Sequence, residues 1–222
     1  QKESLTLYKK GMMQKIFSQT VRFKDNRGKN FPDWEEKKLG EVATFLKGAG
    51  ISKEDVVEGG KNKCIRYGEL YTEYGEIITE VKSKTDFPVS EALVGERNDV
   101  LIPSSGETAL DIATTSCLKV DNVLLGGDLN VIRLQKDQSG EFFAYYLKNF
   151  LNKKIAKLAQ GNSVVHLYAS HLKTLKLLLP SLPEQQKIAD FLTFIDKLVE
   201  SKQQQITEAE QWKKGLMQGL FV

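Results

Sequence analysis

The sequence predicts an α+β chain: a strand-rich domain with packed helices, followed by a long helix that forms a coiled coil. Three patterns carry this reading. Over residues 39–134 short apolar or alternating runs are separated by turn residues, residues 142–158 switch to helical spacing, and over 188–220 apolar residues recur alternately four and three apart. A period of two marks a half-buried strand, a helical period an amphipathic helix, and the four-three alternation a coiled-coil seam.

Residues 2–18 read as a short amphipathic helix with Leu5, Met12 and Ile16 on one stripe, and 1–18 as the end of a preceding helical region. Residues 19–30 are polar and basic, with Asn26-Arg27-Gly28 as a turn signal, and read as a linker. Phe31-Pro32-Asp33-Trp34 opens a domain over 31–182. Within it, strands are predicted at 42–46, 64–70, 77–81, 99–102, 113–120 and 129–134, punctuated by Gly48-Ala49-Gly50, Gly59-Gly60, Pro103-Ser104-Ser105-Gly106 and Gly126-Gly127. Phe143, Tyr146, Leu147, Phe150, Leu151, Ile155 and Leu158 then form a broad helical stripe that ends at Gln160-Gly161-Asn162-Ser163. A second short helix over 168–174 and a strand over 175–179 lead to Pro180-Ser181-Leu182-Pro183.

The last region, 183–222, reads as one long helix. Its seam is Ile188, Leu192, Ile195, Val199, Ile206, Ala209, Leu216 and Leu220, interrupted by Lys202 and Lys213. The stretch 184–220 would extend about 55 Å at roughly 1.5 Å per residue, longer than packing on a small domain requires. Such a helix suits a rod that sets a distance or a platform for partners. The simpler use is oligomerisation.

Residues 7–17 recur at 211–221 with a constant offset of 204: lysines, glycine, glutamine and phenylalanine match, and Tyr8/Trp212, Met12/Leu216 and Ile16/Leu220 keep their class. A domain-sized period points to duplication of a whole module, and a first residue of Gln1 suggests a fragment or a processed product. In this register Leu5, Met12 and Ile16 occupy the seam positions of Ala209, Leu216 and Leu220. The short N-terminal helix is therefore expected to pack beside the C-terminal helix of its own chain or of a second copy.

The 222 residues carry a net charge of only +3, but the charge is concentrated. Residues 1–30 hold eight Lys/Arg against two acids, 31–140 thirteen against twenty, and 141–180 six against one. That is the footprint of a polyanion binder, although a solvated lysine surface gives the same count. No apolar stretch approaches the roughly eighteen residues of a membrane span, and a cytoplasmic protein is expected. Cys64 and Cys117 lie in apolar-leaning stretches without CxxC spacing, so buried reduced thiols are expected. His166 and His171 do not share a helical face, and no metal site is expected.

Taken together, these residues resemble the second half of the specificity subunit of type I restriction-modification systems. The likeness rests on the helix tail 7–17, on Phe31-Pro32-Asp33-Trp34 with Leu39-Gly40-Glu41-Val42, and on the Lys47-Gly48 loop. It continues through Asp99-Val100-Leu101-Ile102-Pro103-Ser104-Ser105-Gly106 and Gly161-Asn162-Ser163-Val164-Val165. The strongest part is Leu179-Pro180-Ser181-Leu182-Pro183-Glu184-Gln185-Gln186-Lys187-Ile188-Ala189, leading into Ile195-Asp196. The resemblance implies a target-recognition domain at 31–182 and a spacer and dimerisation helix at 183–222. It further implies a reader of one half of a bipartite double-stranded DNA target, in a half-subunit that pairs with another. Modification (methyltransferase) subunits would dock on the helices, with S-adenosylmethionine, ATP and Mg held only on partner subunits and restriction subunits joining the complex.

In such a reader phosphate contacts position and base-edge contacts specify. Long cations suit the first role: Lys47, Lys53, Lys82, Lys84, Lys153, Lys157 and Lys173. Amide, hydroxyl, acid and guanidinium groups suit the second: Arg66, Glu69, Ser104, Ser105, Glu107, Thr108, Gln160, Asn162, Ser163 and His166. Each also has a plain structural use, as a turn former or helix cap. Two rival readings are a coiled-coil scaffold that binds protein, and a nuclease built on Asp33, Glu35 and Lys37. The crowding of those acids at the domain entrance disfavours the nuclease, and no catalytic role is expected.

Overall fold

The computed structural model describes residues 2–161 and 164–220. They divide into two compact units, one of Gln1–Arg22 with Asp190–Val222 and one of Phe23–Ala189. The first opens with α1 (Lys2–Phe17). The second runs β1 (Glu35–Lys38), α2 (Leu39–Val42), β2 (Ala43–Lys47), β3 (Asn62–Ile65), α3 (Glu69–Thr72), β4 (Ile77–Ile78), β5 (Lys84–Thr85), β6 (Leu93–Gly95), β7 (Val100–Pro103) and β8 (Ser105–Gly106). It continues with β9 (Ser116–Leu118), β10 (Val123–Leu125), β11 (Leu129–Leu134), α4 (Gly140–Asn149), α5 (Asn152–Ala156), β12 (Val165–His166), α6 (Ala169–Leu172), β13 (Lys176–Leu179) and the start of α7 (Leu182–Leu220).

Two mixed sheets form the centre of the second unit. One has the order β2-β11-β7-β9-β4 and the other β5-β3-β10-β6. Alternation along the strands builds the core between them: Leu129 and Val131 of β11, Leu101 of β7 and Leu118 of β9 meet Ile65 of β3 and Val123 and Leu125 of β10. The period of two sends the intervening residues to the other face. There α4 packs on β7 and β9. Residues Phe142, Phe143, Ala144, Tyr145, Tyr146 and Leu147 of α4 are all buried, as expected of a core helix that is apolar all round. The Ser139 hydroxyl caps its start, accepting the Phe142 N–H at 3.4 Å.

An ion pair ties the two sheets together. Arg133 on β11 donates through Nε and Nη2 to both oxygens of buried Asp99, at 3.0 and 2.8 Å, and through Nη2 to the Val94 carbonyl on β6 at 3.1 Å. A two-pronged guanidinium–carboxylate contact is the strong form of such a pair.

Several expectations shift by identifiable local forces. The stretch 64–70 is strand only to Ile65, because the Glu69 carboxylate turns back to accept the Arg66 N–H at 2.7 Å and the Ser83 hydroxyl, and the chain enters α3. The stretch 113–120 is strand only over Ser116–Leu118; ahead of it Thr115 is buried with its hydroxyl donating to the Ala144 carbonyl at 2.9 Å. The helix expected over 142–158 is two helices, because the Phe150 and Leu151 N–H groups both turn to the Tyr146 carbonyl and close α4. The segment read as a linker is an ordered turn: the Asp25 carboxylate accepts the Arg27 and Lys29 N–H groups, each at 2.8 Å, and Lys24 bridges to Asn30.

The boundary between the units falls inside α7 rather than at residue 182, because the first turns of this helix belong to the second unit. Glu184 and Gln185 are fully enclosed. Trp34 donates through Nε1 to Glu184 at 3.2 Å. The Gln185 side chain accepts the Ser139 N–H at 2.9 Å and donates to the Pro180 carbonyl and the Gln138 amide at 2.9 and 3.0 Å. Lys187 reaches back to the Lys24 carbonyl at 2.7 Å, which draws residues 23–30 into the same unit.

In the first unit α1 and α7 are antiparallel: Lys9 pairs with Asp196 at 2.5 Å, while Lys2, earlier in α1, bonds to Gln203, later in α7. Met13, Ile16 and Phe17 are the buried residues of α1, and Leu5 and Met12 are half-buried beside them. Along α7 the seam is buried at Ile188, Leu192 and Ile195 and half-buried at Val199. It is open at Ile206 (41% exposed), Ala209 and Leu216 (46%). The side chain of Leu220 and residue 221 lie outside the described set. The helix tail and its repeat therefore differ in cover: Met13 is 6% exposed and its counterpart Met217 is 50%.

Both cysteines are free and buried. Burial pushes the Cys64 thiol up to about 11, with the negative charge of Glu69 adding to it, and burial also raises that of Cys117. The thiolate is the reactive form. Iodoacetamide at pH 8 is therefore expected to spare both thiols in the folded protein and to modify both in urea, as mass spectrometry would read. Gln185→Ala strands a buried N–H and carbonyl and should lower the unfolding free energy by about 3 kcal/mol, seen as a lower urea midpoint at unchanged slope.

Candidate nucleic-acid interface

A small ribbon gathers many of the candidate residues. Strand β12 lies antiparallel to β8, with His166 opposite Ser105 and Val165 opposite Gly106, and Gln160 bridges to His166. Backbone bonds hold the ribbon down: the Leu167 N–H donates to the Ser104 carbonyl at 2.9 Å, and buried Asn130 of β11 donates through its side chain to the Leu167 carbonyl at 2.7 Å. The Tyr71 hydroxyl reaches from α3 to the Ser105 carbonyl at 3.2 Å. Between α3 and the ribbon lies an open hollow of about 600 Å³, lined in part by Tyr67, Tyr71, Ser105, Gly106, Glu107 and Asp111. The Tyr67 and Tyr71 rings meet edge to face, 6.5 Å between centroids, and His166 stacks on Tyr168 at 6.2 Å. Burial raises the Tyr71 phenol, with Asp111's charge adding, so it remains a neutral donor.

Around this hollow the sequence-nominated residues take different parts. Glu107 and Thr108 are exposed, and the Thr108 hydroxyl donates to Asp111 at 2.6 Å. Ser105 is buried and so does not stand on the surface as a base reader would, and half-buried Ser104 lies 3.4 Å from the Asp128 carboxylate. Gln160 and His166 are exposed. Helix α5 packs on the turn Asp111–Ala113, which places exposed Lys153 and, one residue beyond its end, exposed Lys157 next to this loop. Arg66 precedes Tyr67 and is half-buried; its Nε has no hydrogen-bond partner among the described residues and lies 3.9 Å from Glu69. Asn162 and Ser163 lie outside the described residues.

Other candidates lie elsewhere. Glu69 is 5% exposed, and its carboxylate organises the turn into α3, so it does not stand on the surface as a base reader would. Lys53, Lys82 and Lys84 are exposed on β5 and loops of the four-stranded sheet, with Lys82 paired to Glu73 at 2.8 Å. Lys47 ends β2 opposite Asn130. The loop after it is pinned, since a Cβ on Gly48 would sit 1.9 Å from the Gly126 carbonyl oxygen, and only glycine permits that approach. The Lys173 ammonium lies 5.7 Å from the Phe45 ring. Glu35 and Lys37, from the nuclease-like stretch, are paired with one another on β1 at 3.1 Å.

Tyr67, Tyr71, Tyr168 and Asn130 escaped the sequence reading. The i, i+4 spacing of Tyr67 and Tyr71 is a helical signal, but it fell at the end of a stretch whose apolar run suggested a strand.

Residues 32–211 match the family described as type I restriction modification DNA specificity domain. A putative type I restriction enzyme MjaX specificity subunit from Methanocaldococcus jannaschii is 28% identical over 221 residues, covering 97% of this chain and 50% of that protein. Two solved chains share the fold: an HsdS subunit from Thermoanaerobacter tengcongensis (TM-score 0.60, 19% identity, 90% of this chain, 45% of that one) and a type I restriction-modification S subunit from M. genitalium (TM-score 0.62, 19%, 90% and 48%). The chain thus spans about half the length of these relatives. With a family match over most of its residues, the chain belongs to the type I restriction-modification DNA specificity family.

Proposed function

We propose that this chain is the DNA-reading part of a type I restriction-modification complex, specifying one half of a bipartite target and doing no chemistry itself. The observation that carries this is the assembly of polar loop residues at the β8–β12 ribbon, in a domain whose family is defined by DNA specificity. Phosphates would be met by the exposed lysines of α5 and its end, and base edges by the groups around the hollow. Arranged so, the cations position the duplex and the loop groups discriminate.

The distal part of α7 gives the proposal its second component. Ile206, Trp212, Leu216 and Met217 are exposed on a helix in which the earlier seam positions are buried. A second copy of this chain would cover them, pairing two recognition domains through their helices, and an unspecified spacer between the two half-targets follows. Modification subunits, carrying S-adenosylmethionine, would dock on the helical region. Restriction subunits, with ATP and Mg, would join outside, in the cytoplasm.

Titrating the chain together with its modification partner against specific and random duplexes at several salt concentrations tests the reading. Phosphate contacts should give a fall in log affinity with log salt of roughly 0.9 per contact, shared by both duplexes, and the specific duplex should retain an advantage at every salt. Equal affinity for all duplexes would rule the proposal out and favour a protein-binding scaffold. For the helix seam, Leu216→Glu combined with Ile206→Glu should reduce the mass seen by sedimentation equilibrium to that of a single chain. Because both positions are exposed, the thermal midpoint of the recognition domain should hold.

A further inference from the structure

The hollow beside the β8–β12 ribbon contains a carboxylate whose presence there needs a reason. Three of the polar side chains lining it are committed. The Tyr71 hydroxyl bonds to the Ser105 carbonyl at 3.2 Å, the Thr72 hydroxyl to the Gly68 carbonyl at 3.4 Å, and Asp111 accepts the Thr108 hydroxyl at 2.6 Å. Glu107 is different. It is exposed, it lines the hollow, and among the described residues neither a hydrogen bond nor an ion pair engages its carboxylate.

On a surface that meets a polyanion, an uncommitted carboxylate is repelled by every phosphate and by every base acceptor. Only an amino donor makes it favourable. In the major groove two such donors exist, N4 of cytosine and N6 of adenine. They are not equivalent to a carboxylate. Adenine places its N7 lone pair beside N6, where it opposes a second acceptor, whereas cytosine places a C–H beside N4. The rings of Tyr67 and Tyr71 supply an apolar wall in the same hollow, suited to that C–H edge.

Resting on the reading of this chain as a DNA specificity domain, we infer that Glu107 specifies a cytosine: its carboxylate accepts the N4 amino group of a C·G pair in the half-target, with Tyr67 and Tyr71 against the pyrimidine edge. Glutamine at this position changes the chemistry in a defined way, because an amide both donates and accepts and so matches the N7/N6 pair of adenine.

The test uses the chain with its modification partner in cells, and reads the methylated motif by sequencing. In the unaltered protein, the half-target read by this domain contains a C·G pair. E107Q should move that one position from C·G toward A·T, by roughly tenfold or more in relative methylation. E107A should accept any pair there. The other positions and the spacer should stay as they were. Glu107 is exposed and unpaired, so the urea midpoints of both variants should equal that of the parent, and this control separates misfolding from altered reading. A motif unchanged by E107Q and E107A, or a change at a position that is not C·G, overturns this inference while leaving DNA reading intact. A parent complex with no fixed motif overturns the DNA-reading proposal itself, and the role of Glu107 with it.

Discussion

The first turns of α7 are held in the second unit by two buried polar side chains, Glu184 and Gln185. Burying a carboxylate and an amide costs several kcal/mol unless every polar atom finds a partner. Here the partners are an indole N–H, a backbone N–H, a backbone carbonyl and a second amide, contributed by Trp34, Ser139, Pro180 and Gln138. Those partners come from the entrance of the domain, the start of α4 and the end of β13. The first turns of the long helix are thus held by hydrogen bonds with fixed directions, where apolar packing alone would tolerate sliding or rotation. The proline–Glu–Gln join of the sequence has a physical purpose in this arrangement: proline ends the strand, and the two polar residues fix the first turn of the helix within the second unit.

The same logic of buried polar groups with specified partners recurs at the site. Asn130 would be an error in the middle of a sheet were its side chain not bonded to the Leu167 carbonyl. Asp99 would be one too without Arg133 and the Glu96 N–H, which it accepts at 2.9 Å. The apolar core between the sheets provides the free energy of folding, while these few polar contacts decide which loops lie next to which. The hollow between α3 and the ribbon exists because Tyr71, Asn130 and the Ser104–Leu167 bond each pull a different segment to the same place.

Much of this was legible in the residues. The run 129–134 is a strand with the bounds its alternation suggests, and α7 follows its seam from the proline pair onward. Errors arose where local hydrogen bonds overrode the apolar pattern. Glu69 turned an apolar run into a helix start, and the chain at Phe150 and Leu151 closed one helix before the stripe of apolar residues ended. Strand β10 was missed because its three residues are too short for a period to register, although all are buried. The breaks at 103–106 and at Gln160-Gly161 were legible from their turn chemistry; the pairing of β8 with β12 was not. Tyr67 and Tyr71 were not, since their importance comes from a tertiary contact to Ser105 that no local pattern announces. Glu69 shows the converse: an acid on an apparent loop, spent on its own fold.

The ribbon is held to the domain mainly through main-chain atoms: Ser104 to Leu167, Gln160 to His166, and the carbonyls that Tyr71 and Asn130 seize. None of these bonds depends on what side chain the ribbon residues carry. A scaffold of this kind separates the problem of being folded from the problem of being selective. The exposed positions of the ribbon and its neighbouring loop are then free to change one at a time, with folding stability nearly constant, so that new preferences are reached by single substitutions without passing through an unfolded intermediate sequence.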